Sequence, residues 1–101
     1  MEEEFLLNKI SRINYKIAVH EGCANERLAS QTGLIFTIPT AIIPDPYKIK
    51  FNELVRLLEN TVKDFPGLMI PVRVKGIYNK TAVKYIILLM EIEEHLNEIL
   101  K

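Results

Sequence analysis

The chain has 101 residues, which is enough for one domain with a thin hydrophobic core. Its 13 acidic and 13 basic side chains give a formal net charge of zero, which argues against a protein that coats nucleic acid through bulk charge. Hydrophobic residues make up 49% of the sequence and charged residues 26%, a globular composition, so we assign residues 1–101 to a single helical domain.

The cysteine content and the length of the apolar runs indicate in which cellular compartment the protein is expected. A single cysteine, Cys23, excludes an internal disulfide framework. The sequence opens on acidic residues where a signal peptide carries basic ones, so we expect a cytoplasmic protein. The longest apolar run, 86–90, is too short to cross a bilayer, and we expect no membrane partner.

The first predicted helix begins near Glu2, where three consecutive glutamates favour a helix N-terminus. Two residues compete to end it. Gly33 is of the type that often follows a helix, and Pro39 marks the last plausible stop. We predict one long helix, frayed or kinked around Gly33. Its packing stripe repeats at intervals of four and three residues: Leu6, Ile10, Ile13, Ile17, His20 and Ala24.

The second predicted helix follows a connector that contains three prolines, residues 39–46. Asp45 fits the N-cap position, and Pro46 fits the first helical position. Pro66 and Gly67 are predicted to end the helix. Its apolar stripe consists of Phe51, Val55, Leu58, Val62 and Phe65, widened by Leu54 and Leu57.

The third predicted helix runs from an N-cap at Asn79 to about Leu100. Its packing stripe consists of Ala82, Tyr85, Leu89, Ile92, Leu96 and Ile99. A second apolar set, on other faces, consists of Val83, Ile86, Ile87 and Met90. A helix that is apolar all round is expected to be buried all round, which two neighbouring helices in one chain cannot easily achieve.

The fold class that follows is all-α, a three-helix antiparallel bundle that dimerises through the third helix. The candidate dimer interface is the second apolar set, with 34–43 as a further source of surplus apolar surface. An α+β fold is the alternative, because apolar and basic residues alternate near 70–75 as in a strand. Its partner strand would be 34–38.

Few residues suggest chemistry. His20 and Cys23 can meet on one face of a continuous first helix, and His95 lies one turn from Glu91. Neither pair has the further groups that nucleophilic catalysis or a metal site needs, so we expect core and surface roles for them. We therefore expect no enzyme, no cofactor and no metal.

A basic stretch without acids supplies the other candidate site. It consists of Arg73, Lys75, Lys80 and Lys84, with Tyr78 available to stack on a base. Two functions are thus expected. The first is a helical interaction or oligomerisation module, a homodimer that binds another macromolecule such as a protein. The alternative is a small nucleic-acid-binding regulator that uses the basic segment 73–84.

Overall fold

The computed structural model describes residues 2–64 and 77–100, and for 61–64 it describes the backbone alone. In these ranges the chain is helical and has no strand, so the all-α prediction is confirmed there. The elements are α1 (Glu2–Val19), α2 (Ala24–Ala29), α3 (Thr32–Phe36), a 3₁₀ helix (Thr40–Ile42), α4 (Asp45–Asp64) and α5 (Asn79–Ile99).

The strand predicted at 34–38 is wrong, because most of it lies in α3 or in the turn that follows. The partner strand at 70–75 lies outside the described residues. None of the helices in the described ranges is long and apolar enough to cross a membrane.

The predicted long first helix is also wrong, because α1 ends at Val19. Just beyond it, the backbone N–H of Gly22 donates a hydrogen bond of 2.9 Å to Nδ1 of His20. Side-chain bonds of this local kind compete with helical backbone bonds and favour a turn. Glycine suits the turn, because a Cβ at position 22 would lie 2.9 Å from Cε1 of His20. Gly33 lies inside α3 and ends nothing.

The start of α5 is tied to the start of α2. Asn79 was predicted to cap its own helix, yet Tyr78 occupies the N-cap position, and no side-chain cap bond forms there. The Oδ1 atom of Asn79 instead accepts a hydrogen bond of 3.0 Å from the backbone N–H of Asn25. The Nδ2 atom of Asn25 donates one of 3.1 Å to the carbonyl oxygen of Ile77. Asn79 thus satisfies a free N–H at the N-terminus of a neighbouring helix.

Three helices, α1, α2 and α4, pack against α5, which is the centre of the fold. The α1–α5 pair is antiparallel, since Ser11 bonds to Glu93 whereas the later Asn14 bonds to Leu89 as well as to Glu93.

The α4–α5 pair is antiparallel too. The ring of Tyr47, early in α4, packs against His95, late in α5. The carboxylate of Glu53, further along α4, interacts by charge and by a hydrogen bond with the hydroxyl of Tyr85, early in α5. Both helices oppose α5, so α1 and α4 run in the same direction. This differs from the simple antiparallel bundle that the sequence predicts, because α2, α3 and the 3₁₀ helix carry the chain back between them.

The core confirms most of the predicted packing stripes where they fall on described side chains, which leaves out Val62 and Phe65. The fully buried large side chains are Leu6, Ile10, Ile13, Leu28, Ile35, Ile43, Phe51, Leu54, Leu58, Leu89, Ile92 and Leu96. Ile99 was predicted to be buried but is exposed, and Leu88 is buried without having been predicted. Ile35, Ile38 and Ile43 are also buried, so 34–43 contributes to the core more than to a surplus surface.

Candidate functional site

One side of α5 carries apolar side chains that the described part of the chain leaves in solvent. Val83, Ile87 and Met90 are 45%, 48% and 57% exposed. At about 100° per residue, these three positions lie within about 60° of one another around the helix. We call them the outer face of α5. Ile86, the fourth residue of the predicted interface, is half-buried and packs against the core.

The apolar circumference of α5 is therefore not fully enclosed by the described part of one chain, which agrees with the surplus that the sequence predicts. Helices α1, α2 and α4 occupy its other sides, and the connector 34–43 does not fold over the outer face. Exposed apolar side chains scattered singly are ordinary on protein surfaces, whereas a contiguous apolar patch is a candidate interaction site.

Charges along α5 change sign from one end of the outer face to the other. Lys80 and Lys84 are exposed near its N-terminal end, and three exposed carboxylates follow the apolar row: Glu91, Glu94 and Glu98. The Nζ atom of Lys84 lies 5.6 Å from the centroid of the adjacent Tyr85 ring, a cation–π distance. A helix with this sequence of charges has a basic half and an acidic half.

A shallow pocket of about 310 Å³ beside the outer face brings a third lysine to the basic half. Lys50 of α4 lines this pocket with Lys80 and Lys84, and Glu91 is the acidic residue among its lining side chains. The sequence did not point to Lys50, because it belongs to another helix and only the packing of α4 on α5 brings it near.

The other members of the predicted basic site divide into two groups. The ring of Tyr78 is exposed, and its stacking on a base stays a prediction. Arg73 and Lys75 lie outside the described residues. Tyr85, which belongs to the packing stripe of α5 and not to the basic site, is buried. Burial raises the pKa of its hydroxyl, and the charge and hydrogen bonding of the Glu53 carboxylate raise that pKa further.

A second concavity, a groove of about 770 Å³, lies between α1, α2 and α5 on the other side of Val83 and Met90. Its walls are mostly apolar and include the exposed Tyr15. Arg27 lines the same groove, but its Nε atom already donates a hydrogen bond of 2.8 Å to the carbonyl oxygen of Gly22.

The polar floor of this groove is a hydrogen-bond network between α1 and α5. The carboxylate of Glu93 accepts a bond of 3.0 Å from Ser11 Oγ and one of 2.7 Å from Asn14 Nδ2. Asn14 Nδ2 also donates to the carbonyl oxygen of Leu89 at 3.1 Å, while its Oδ1 is buried without a partner. These bonds fix the position of α1 on α5, and we assign the network a structural role.

The residues considered for catalysis, His20, Cys23 and His95, do not come together in a common site. His20 and Cys23 do not share a helix face, since α1 has ended before either of them, and Cys23 is exposed. The ring of His95 packs edge-on against that of Tyr47, with centroids 5.4 Å apart. Across the described ranges, no three His, Cys, Asp or Glu side chains are grouped so that they could hold a metal ion.

No family model, no curated protein and no solved structure matches this chain. The features that bear on its function are therefore the exposed apolar row on α5, the charges beside it and the groove.

Proposed function

We propose that this protein is a non-enzymatic helical interaction module that forms a homodimer through the outer face of α5 and, in that form, binds another macromolecule. The observation that carries the proposal is the apolar row of Val83, Ile87 and Met90, half-exposed on the helix against which α1, α2 and α4 pack. A two-fold dimer is the commonest way for a chain to cover such a face.

The size of the row is compatible with a reversible dimer. Six half-exposed side chains, three from each copy, would contribute about 5 kcal/mol if they became fully buried. The loss of translational and rotational freedom on association costs about 4–15 kcal/mol, so contacts at the rim must add to the apolar row. We therefore expect a dimer that dissociates on dilution.

Size-exclusion chromatography with light scattering tests this proposal over a range of micromolar concentrations. We expect the mass of the wild-type chain to rise toward twice the monomer mass as concentration increases. Ile87→Asp should keep the chain monomeric, because it places a charge in the centre of the row. The matched control is Ile49→Asp, the same change at an exposed position of α4. A wild-type chain that stays monomeric throughout contradicts the proposal.

A second candidate function is the binding of single-stranded nucleic acid to the basic half of α5. It is favoured by Lys50, Lys80 and Lys84 around one pocket, with the exposed Tyr78 ring on the same end of the helix. Fluorescence anisotropy with a labelled oligonucleotide at several salt concentrations tests it.

Under this second function, we expect affinity to fall with salt, since cations on the protein replace counterions on the phosphates. Replacing Arg73, Lys75, Lys80 and Lys84 with alanine should weaken binding at low salt and flatten its salt dependence. Unchanged binding by that variant rules the basic segment out as the nucleic-acid site.

A further inference from the structure

We propose that, in the dimer, α5 packs antiparallel against α5 of a second copy, with the two-fold axis passing beside Ile87. The inference rests on the proposed function and adds the direction of pairing and the groups that select it. The exposed face of α5 is complementary in charge to a second copy of itself in the opposite direction, because its N-terminal half is basic and its C-terminal half is acidic.

The apolar row fits a two-fold axis at its middle. Val83 lies four residues before Ile87, and Met90 lies three residues after it. In an antiparallel pair, Val83 of one copy therefore lies near Met90 of the partner subunit, and the two Ile87 side chains face each other. The row thus covers itself, as an interface formed by the same patch on both copies requires.

The charged side chains lie beside the apolar row, at positions where a two-fold axis would bring opposite charges together. At about 100° per residue, Lys80, Lys84 and Glu91 lie on one flank of the row, about 60° to 100° around the helix from Val83. A two-fold axis perpendicular to both helices keeps this flank on the same side of the interface in both copies. Lys84 of one copy and Glu91 of the other therefore share a rim, while Glu94, about 20° from Val83, extends the line of the row beyond Met90.

The register pairs opposite charges. With the axis beside Ile87, Lys84 lies close to Glu91 of the partner subunit, and Lys80 lies opposite Glu94 of the partner subunit. Symmetry repeats both pairs, which gives four pairs in all. Charges that flank an apolar row in this way set the orientation of paired helices.

In a parallel pair, a two-fold axis along the helices would place this flank on opposite sides of the interface in the two copies, so the lysines of one copy would not meet the carboxylates of the other. The alternative occupant of the basic half is a polyanion. The second copy is the better match, because it covers the apolar row and the lysines together, whereas a phosphate backbone leaves Val83, Ile87 and Met90 in water.

Charge reversal tests the direction of pairing in the full chain. Lys80→Glu with Lys84→Glu should weaken the dimer about tenfold or more, since four attractive pairs become repulsive. Adding Glu91→Lys and Glu94→Lys should restore it. The matched control is Arg12→Glu with Lys16→Glu, the same reversal at exposed positions one turn apart on α1, which should leave the dimer unchanged.

Cysteine cross-linking gives a second measurement, which is independent of the charge-reversed variants. In a Cys23→Ser background, we expect chains carrying Val83→Cys to form disulfides with chains carrying Met90→Cys more readily than either forms with itself. Preferred 83–83 and 90–90 cross-links overturn the antiparallel pairing and leave the dimer standing. A wild-type chain without a dimer overturns both the pairing and the proposed function.

Discussion

Replacing Phe51 with alanine is expected to lower the free energy of unfolding by about 3–5 kcal/mol, the cost of removing a fully buried phenyl ring from a packed core. Phe51 lies in α4 and is 0% exposed. Because domains of this size have a stability of about 5–15 kcal/mol in total, this substitution leaves much of the population unfolded under mild denaturing conditions. Equilibrium urea unfolding followed by circular dichroism measures the change.

The control for this prediction is Phe36→Ala. It removes the same ring from α3, where Phe36 is 41% exposed. We expect a loss of about 1 kcal/mol or less there, because little apolar surface returns to water and no closed cavity forms. Equal losses at the two positions would mean that Phe51 is not enclosed as the structure describes.

Asn14→Asp is expected to destabilise the fold by about 3 kcal/mol at neutral pH, although the two side chains have nearly the same shape. The amide that now donates to Glu93 at 2.7 Å and to the carbonyl oxygen of Leu89 would become a second carboxylate. Two donated hydrogen bonds would be lost, and two negative charges would meet in a half-buried site. Thermal and urea unfolding measure the loss.

Three comparisons separate this explanation from a general effect of added charge. Asn8→Asp makes the same change at an exposed position of α1 and should cost little. Adding Glu93→Gln to Asn14→Asp should recover part of the stability, because an amide can donate to the new carboxylate. The penalty should also shrink as pH falls, since the carboxyl group introduced at position 14 can donate to Glu93 once it is protonated. A penalty as large in the double variant as in Asn14→Asp alone would contradict the assigned network.

Apolar spacing was sufficient to predict which face of each long helix is buried. The stripe from Leu6 to Ile17 in α1 and the stripe from Ala82 to Leu96 in α5 are in the core because positions three and four apart share a face of a helix, whatever the tertiary arrangement. The end of α1 could not be predicted in this way. It depends on a local bond between Gly22 and His20 that involves one glycine and one ring, and neither residue interrupts the apolar stripe.

Features that depend on the packing of distant segments were missed for a common reason. Lys50 joins Lys80 and Lys84 only because α4 packs on α5, and Asn79 caps α2 only because residue 77 lies beside Asn25. The shared direction of α1 and α4 has the same origin. Helical periodicity indicates which face packs, but it carries no information about which helix covers that face or in which direction it runs.

The central position of α5 has a consequence for the order in which the chain can acquire its structure. During synthesis, α1 and α4 leave the ribosome before α5, and their buried faces lack the helix against which both of them pack. The contacts that fix α1 on α5 join residues 75 to 82 positions apart. Such separations make the final docking slow relative to helix formation, so the faces of α1 and α4 that pack on α5 stay without that helix until residues 82–96 emerge.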